Sequence, residues 1–76
     1  MTQLDVTGRH PATQQIARWF DADHLPNDLA NASAHCTDLA QTMIDLLPDG
    51  PELTTGLRKL LEAKDCFVRA AIEARG

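Results

Sequence analysis

From Pro26 onward, apolar residues recur at the spacing of a helix packed against another helix. Leu29, Ala32, Cys36, Leu39, Met43 and Leu46 follow one another at intervals of 3-4-3-4-3, a heptad seam. Asp28 near the start of this helix complements the helix dipole. Pro48 ends it, because the residue before a proline avoids helical dihedrals. Pro48-Asp49-Gly50-Pro51 then reads as a bend, and Pro51 reopens a helix with Glu52 in its first turn. This third helix carries Leu53, Leu57, Leu60, Phe67 and Ala71 on heptad spacing, with Lys64 occupying a seam position. A second stripe, Leu61, Val68 and Ile72, runs beside the first. Two such helices joined by a tight bend predict an antiparallel hairpin.

Upstream, His10-Pro11 suits a helix start, since a proline at the first helical position forgoes a hydrogen bond that is absent there anyway. A short helix is expected from Pro11 to Phe20, with Ala12, Ile16, Trp19 and Phe20 on one face, and Asp21-Ala22-Asp23-His24 breaks it. Residues 1–9 show no period and read as a flexible N-terminal arm. Residues 10–76 form one helical-hairpin domain. The expected fold is therefore all-α, a short N-terminal helix followed by a long antiparallel hairpin. One partner helix cannot cover both stripes of the third helix, so the fold is expected to assemble into a homo-oligomer. Size points the same way: a core in so short a chain supplies only about 3–5 kcal/mol.

Composition sharpens this picture. Two Phe, one Trp and no Tyr among 76 residues leave few strand formers, while Ala and Leu favour helix. The formal charge of −4 argues against a binder of long nucleic acid, which is normally basic. It does not exclude a small anion held by a few local cations. Five of the seven Lys and Arg (Arg58, Lys59, Lys64, Arg69 and Arg75) lie in the last third, and Asn27 to Leu47 contains none. No secretory leader is visible and no apolar run is long enough to span a bilayer. A cytoplasmic location, with Cys36 and Cys66 as thiols, is the expectation.

Few residues suggest chemistry. Lys64 has Leu60, Leu61, Phe67 and Val68 three and four positions away. Its ammonium must snorkel, pair with a carboxylate or meet an anionic ligand. Asp65, adjacent on the helix, is expected to point elsewhere. Arg69 lies four residues from both Asp65 and Glu73, which fits an exposed ion-pair ladder or a phosphate contact through its planar fork. Trp19 and Phe20 sit about 100° apart on a helix; both are candidates for core, and the outward one for stacking on a base. Gly56 within the third helix either permits close helix approach or is simply tolerated. His10, His24, His35, Cys36 and Cys66 lack the spacing of a zinc site, and no catalytic motif or cofactor-binding loop is present. Neither an enzyme, a cofactor nor a metal is expected.

The run Leu47-Pro48-Asp49-Gly50-Pro51-Glu52-Leu53, followed by Gly56 to Ala71 with Glu62-Ala63-Lys64-Asp65 and Arg69-Ala70, resembles a helical hairpin of small phage immune-evasion proteins. One group is the anti-CBASS sponges that capture cyclic oligonucleotides. Another is an anti-Thoeris sponge for cyclic ADP-ribose isomers, which has further structure besides the hairpin. This short chain looks more like the first, and His10-Pro11 and His24-Leu25-Pro26 resemble its actinobacteriophage branch. The resemblance covers roughly residues 10 to 75. It implies a homohexamer built as a trimer of dimers, working in the cytoplasm of the infected bacterial host. It also implies cyclic dinucleotides held between subunits, cyclic trinucleotides in separate pockets, and capture without cleavage. Carried over, Arg69 meets trinucleotide phosphates and Phe20 stacks on a base where others have Tyr. Early in the second helix, where relatives often have a basic residue, this chain has Ala34, with His35 the nearby substitute. The ligand-binding candidates are thus Phe20, Arg69, Lys64, Trp19 and His35. A helical adaptor that binds a host protein through its spare apolar face is the alternative, as is capture of the cyclic ADP-ribose signals of Thoeris.

Overall fold

Prolines open two of the three helices. In the computed structural model, which describes residues 4–22 and 24–75, Pro11 starts α1 (Pro11–Ala17) and Pro51 starts α3 (Pro51–Ala74). The His10 ring caps α1, its Nδ1 accepting from the Ala12 N–H at 3.0 Å. After Ala17 the chain tightens into a 3₁₀ turn, Arg18–Phe20. The long helix α2 (Asn27–Leu46) follows, with Asp28 in its first turn. α2 and α3 pack along each other as the hairpin, and α1 packs on α3. Among the described residues there is no strand. Within the expected pattern break, Asp23 lies outside the described residues, as do residues 1–3 of the arm and Gly76.

The core consists of Ile16, Phe20, Ala40, Ile44, Leu53 and Leu57, with Leu4, Val6, Met43, Leu60 and Leu61 packed around it. On α2 this corrects the expected seam. Leu29 and Cys36 are buried, but Leu39 and Leu46 are 48% and 68% exposed. Ser33, Thr37, Ala40 and Ile44 are buried instead. The physical reason is a second neighbour. α2 meets the 3₁₀ turn as well as α3: the Phe20 carbonyl approaches Thr37, and the Phe20 ring shares a core with Ala40 and Ile44. The Thr37 hydroxyl lies 3.1 Å from the Ser33 carbonyl and 3.3 Å from that of Phe20. On α3 the seam closes at Leu53, Leu57 and Lys64, whereas Phe67 and Ile72 stay about half exposed.

Residues 4–9 reach back to the hairpin. The Gln41 amide accepts from the Asp5 N–H at 2.7 Å and donates to the Asp5 carbonyl at 3.0 Å. Leu4 and Val6 rest on the core. The Arg9 guanidinium donates to the carbonyls of Ile44 and Leu47 and to the Asp49 carboxylate. It thereby occupies carbonyls that the end of α2 leaves without helical partners. Burial alone would push the Asp49 carboxyl up, but the hydrogen bonds from Arg9 and the His10 N–H outweigh it and hold it below its ordinary range.

The open end of the hairpin is closed by Arg75, whose Nε and Nη2 each donate to Asp28 at 2.6 Å. The Arg75 hydrogen bond draws the Asp28 carboxyl down from 3.8 to about 2. Cys36 is buried, Cys66 exposed, and both are free thiols. Desolvation pushes the Cys36 thiol up.

Two outcomes follow. Phe20→Ala removes a fully buried ring and should cost about 3–5 kcal/mol, most of the stability a domain this size has; urea denaturation would show it as a midpoint near zero. The depressed Asp28 carboxyl stabilises the fold above its unfolded value, and that contribution disappears as pH falls from about 4 to about 2. Thermal melts across this window should be steeper in pH for the natural chain than for Arg75→Ala.

Candidate functional site

The arginines and lysine that the sequence scatters are gathered by the fold. A cleft of about 790 Å³ lies between the 3₁₀ turn, the loop behind it and the outer face of α3. Arg58, Leu61, Lys64, Asp65, Val68 and Arg69 approach it from α3; Arg18, Trp19, Asp21, His24 and Leu25 approach it from the turn and loop. Leu61 and Val68, two members of the second apolar stripe, are thus its lining rather than wholly spare surface. Among the described residues of its lining, four permanent cations, Arg18, Arg58, Lys64 and Arg69, stand against two carboxylates, Asp21 and Asp65. The chain as a whole has the opposite sign. A cleft with this excess attracts anions, most strongly where water is partly excluded.

Lys64 occupies an unusual place for a lysine, only 8% exposed. Its Nζ donates to the Trp19 carbonyl at 3.0 Å and pairs with Asp65 Oδ1 at 3.0 Å. The Phe20 ring centroid is 6.0 Å away. The Asp65 carboxylate therefore does not point elsewhere: the long lysine stem lets neighbouring side chains meet beside the helix. The Trp19 carbonyl lies in the 3₁₀ turn, where backbone acceptors need outside partners and a cation is favourable.

The resemblance implies that Phe20 stacks on a base, and the structure places that ring inside. Phe20 is 0% exposed and is core, so it has no free face on which a base could stack. Trp19 is 60% exposed, on the rim of the cleft, with the Arg18 guanidinium 5.6 Å from its ring centroid. A helical turn directs neighbours about 100° apart, and the apolar interior took Phe20.

Arg69 lies on the cleft, exposed, and donates to Cys66 Sγ at 3.3 Å. The ladder with Asp65 and Glu73 is not formed, and Asp65 is engaged by Lys64. His35 is exposed on α2 and does not line the cleft; Ala34 beside it is half-buried. The cleft thus brings together three of the five candidates, Trp19, Lys64 and Arg69. Sequence reasoning missed Arg18, Arg58 and His24 as cleft residues. Arg58 carried a signal, since it lies three residues before Leu61 and seven before Asp65 on one helical face. Arg18 and His24 carried none, because only the docking of the turn on α3 places them there. Among the described residues no cluster of His, Cys, Asp and Glu is suited to holding a metal ion.

Lys64→Met keeps the apolar stem but leaves the Trp19 carbonyl without its charged donor. Urea denaturation should show a loss of about 1.5–3 kcal/mol, and a loss under about 0.5 kcal/mol would indicate an ammonium already in solvent. Comparison with protein-family models, with curated proteins and with solved structures finds no match to this chain.

Proposed function

We propose that the chain is a sponge: it binds and sequesters cyclic oligonucleotide second messengers without cleaving them, and so blocks CBASS-type defence in the cytoplasm of a phage-infected bacterium. The observation that carries this reading is the concentration of Arg18, Arg58, Lys64 and Arg69 around an exposed Trp19 in an acidic chain. Guanidinium forks suit phosphates through paired, charge-assisted hydrogen bonds. An indole face suits a base, and stacking of this kind contributes about 1–3 kcal/mol per base. The hairpin's resemblance to the anti-CBASS sponges supplies the cyclic form of the ligand and the homohexameric assembly. In this reading Trp19 takes the stacking role, Arg58 and Arg69 meet phosphate, and Lys64 holds the turn in place. The chain has no basic side chain at Ala34, so ligands entering beside α3 are favoured over those needing a cation on α2.

A second reading has its own support. Leu39, Leu46, Leu47 and Phe67 are 44–68% exposed, and an apolar surface of this kind also suits an adaptor that binds a host protein. Capture of cyclic ADP-ribose isomers would use the same phosphate and base chemistry.

Calorimetry against cyclic dinucleotides, cyclic trinucleotides and cyclic ADP-ribose isomers separates these readings. A sponge binds one class tightly, more weakly as salt rises, and releases it intact when the protein is denatured. Trp19→Ala should weaken binding about 5- to 150-fold, the equivalent of one stacked base, with Arg69→Ala also weakening it and the helical content unchanged. Recovery of linear products would refute sequestration, and no binding across the panel would favour the adaptor.

A further inference from the structure

On α3 another heptad is only partly covered by the hairpin. Gly56, Leu60, Ala63, Phe67, Ala70 and Ala74 succeed one another at intervals of 4-3-4-3-4 and include no charge. The span extends about 27 Å at the rise of an α-helix. Gly56, Phe67, Ala70 and Ala74 are exposed, and Leu60 and Ala63 half-buried. Beside Gly56 an apolar groove of about 560 Å³ runs to the bend, walled by Leu39 and Met43 on one side and Leu60 on the other. A Cβ at Gly56 would meet nothing within 4 Å. The hairpin itself therefore does not need glycine there, although glycine weakens the helix. A second helix approaching closely from outside would need it.

We infer that this face pairs with the same face of a second copy, α3 against α3 in antiparallel orientation, with Leu60 opposite Ala70, Phe67 opposite Ala63 and Ala74 opposite Gly56. The inference rests on the self-association within the function proposed above and gives it a surface and a register. In this register every larger side chain meets a smaller one. A two-fold axis requires each contact to occur twice with the roles exchanged, and these pairs satisfy that requirement. Of the two flanks that face their own kind in an antiparallel pair, one carries Lys59, Cys66 and Glu73, all exposed; the other, Leu57, Lys64 and Ala71, is turned towards the hairpin, with Leu57 and Lys64 buried. The same register sets Lys59 opposite Glu73 of the second copy, twice, and Cys66 near Cys66 of the second copy at the axis. Opposite charge thus falls where the register demands it, without having been used to choose the register. A parallel pair would set Phe67 against Phe67 and part Lys59 from Glu73 of the second copy. The uncharged Ala70 and Ala74 end of one α3 then lies over the groove beside Gly56 of the other. The cleft of Arg58, Asp65 and Arg69 occupies another side of α3 and stays open.

Sedimentation of the full chain without ligand tests the surface. The chain should contain the dimer, and Ala63→Glu, at a half-buried position, should sediment as a monomer of unchanged helical content. The register is tested by crosslinking in a Cys66→Ser background, which leaves only the buried Cys36. Lys59→Cys and Glu73→Cys chains, mixed and equilibrated, should join through a short bismaleimide, while neither joins to itself. Lys59→Glu alone should weaken the dimer and Lys59→Glu with Glu73→Lys should restore it. A monomeric natural chain would overturn both the self-association and this inference. A dimer in which Lys59→Cys joins to itself, or in which the double exchange restores nothing, would overturn the inference alone.

Discussion

A buried ammonium with an exacting set of partners holds the candidate site to the fold. Lys64 Nζ can donate three hydrogen bonds, and it meets the Trp19 carbonyl and the Asp65 carboxylate, each at 3.0 Å. The next carbonyl along the chain, that of Phe20, accepts from Thr37 on α2. Two successive carbonyls of one short turn are thus tied to the two different helices of the hairpin. With the backbone held this way and the Phe20 ring in the core, Trp19 projects outward at the rim of the cleft. The lysine therefore shapes the site chiefly by positioning another residue.

The fold was legible to the degree that its signals were local. Pro11, Pro48 and Pro51 marked helix ends because proline constrains itself and its predecessor whatever surrounds it. Heptad spacing announced two long helices, but not which face of α2 would be buried. Leu39 and Leu46 obey the seam's spacing yet face outward, while Ser33 and Thr37 go inward. That choice depends on the Phe20 ring, which arrives from a different element. The attachment of residues 4–9 was illegible for the same reason: Arg9 and Gln41 act across more than thirty residues. At the site, Lys64 could be singled out because a charge in an apolar seam is a local anomaly. Which of Trp19 and Phe20 turns inward could not be read, since adjacent aromatics differ only in which one the core accepts.

α3 then serves the molecule on three sides. Leu53 and Leu57 face the interior. Arg58, Asp65 and Arg69 face the cleft. Gly56, Ala63 and Ala70 face outward with no charge among them. An α-helix separates such sets because residues three and four apart share a side and those between them do not. The proposed ligand capture and the inferred pairing consequently call on different side chains, and Lys64 sits where the interior and the cleft meet.

In the proposed function the cleft beside Trp19 receives an anionic ligand bearing a base. Trp19 is the only tryptophan of the chain, so its fluorescence reports on that position alone. Titration with the cyclic oligonucleotide that binds most tightly should quench the emission saturably, with a break at a fixed ratio of ligand to chain and a weaker affinity at high salt. Emission that stays constant while the ligand binds would place the ligand elsewhere on the protein and rule out the cleft as its site.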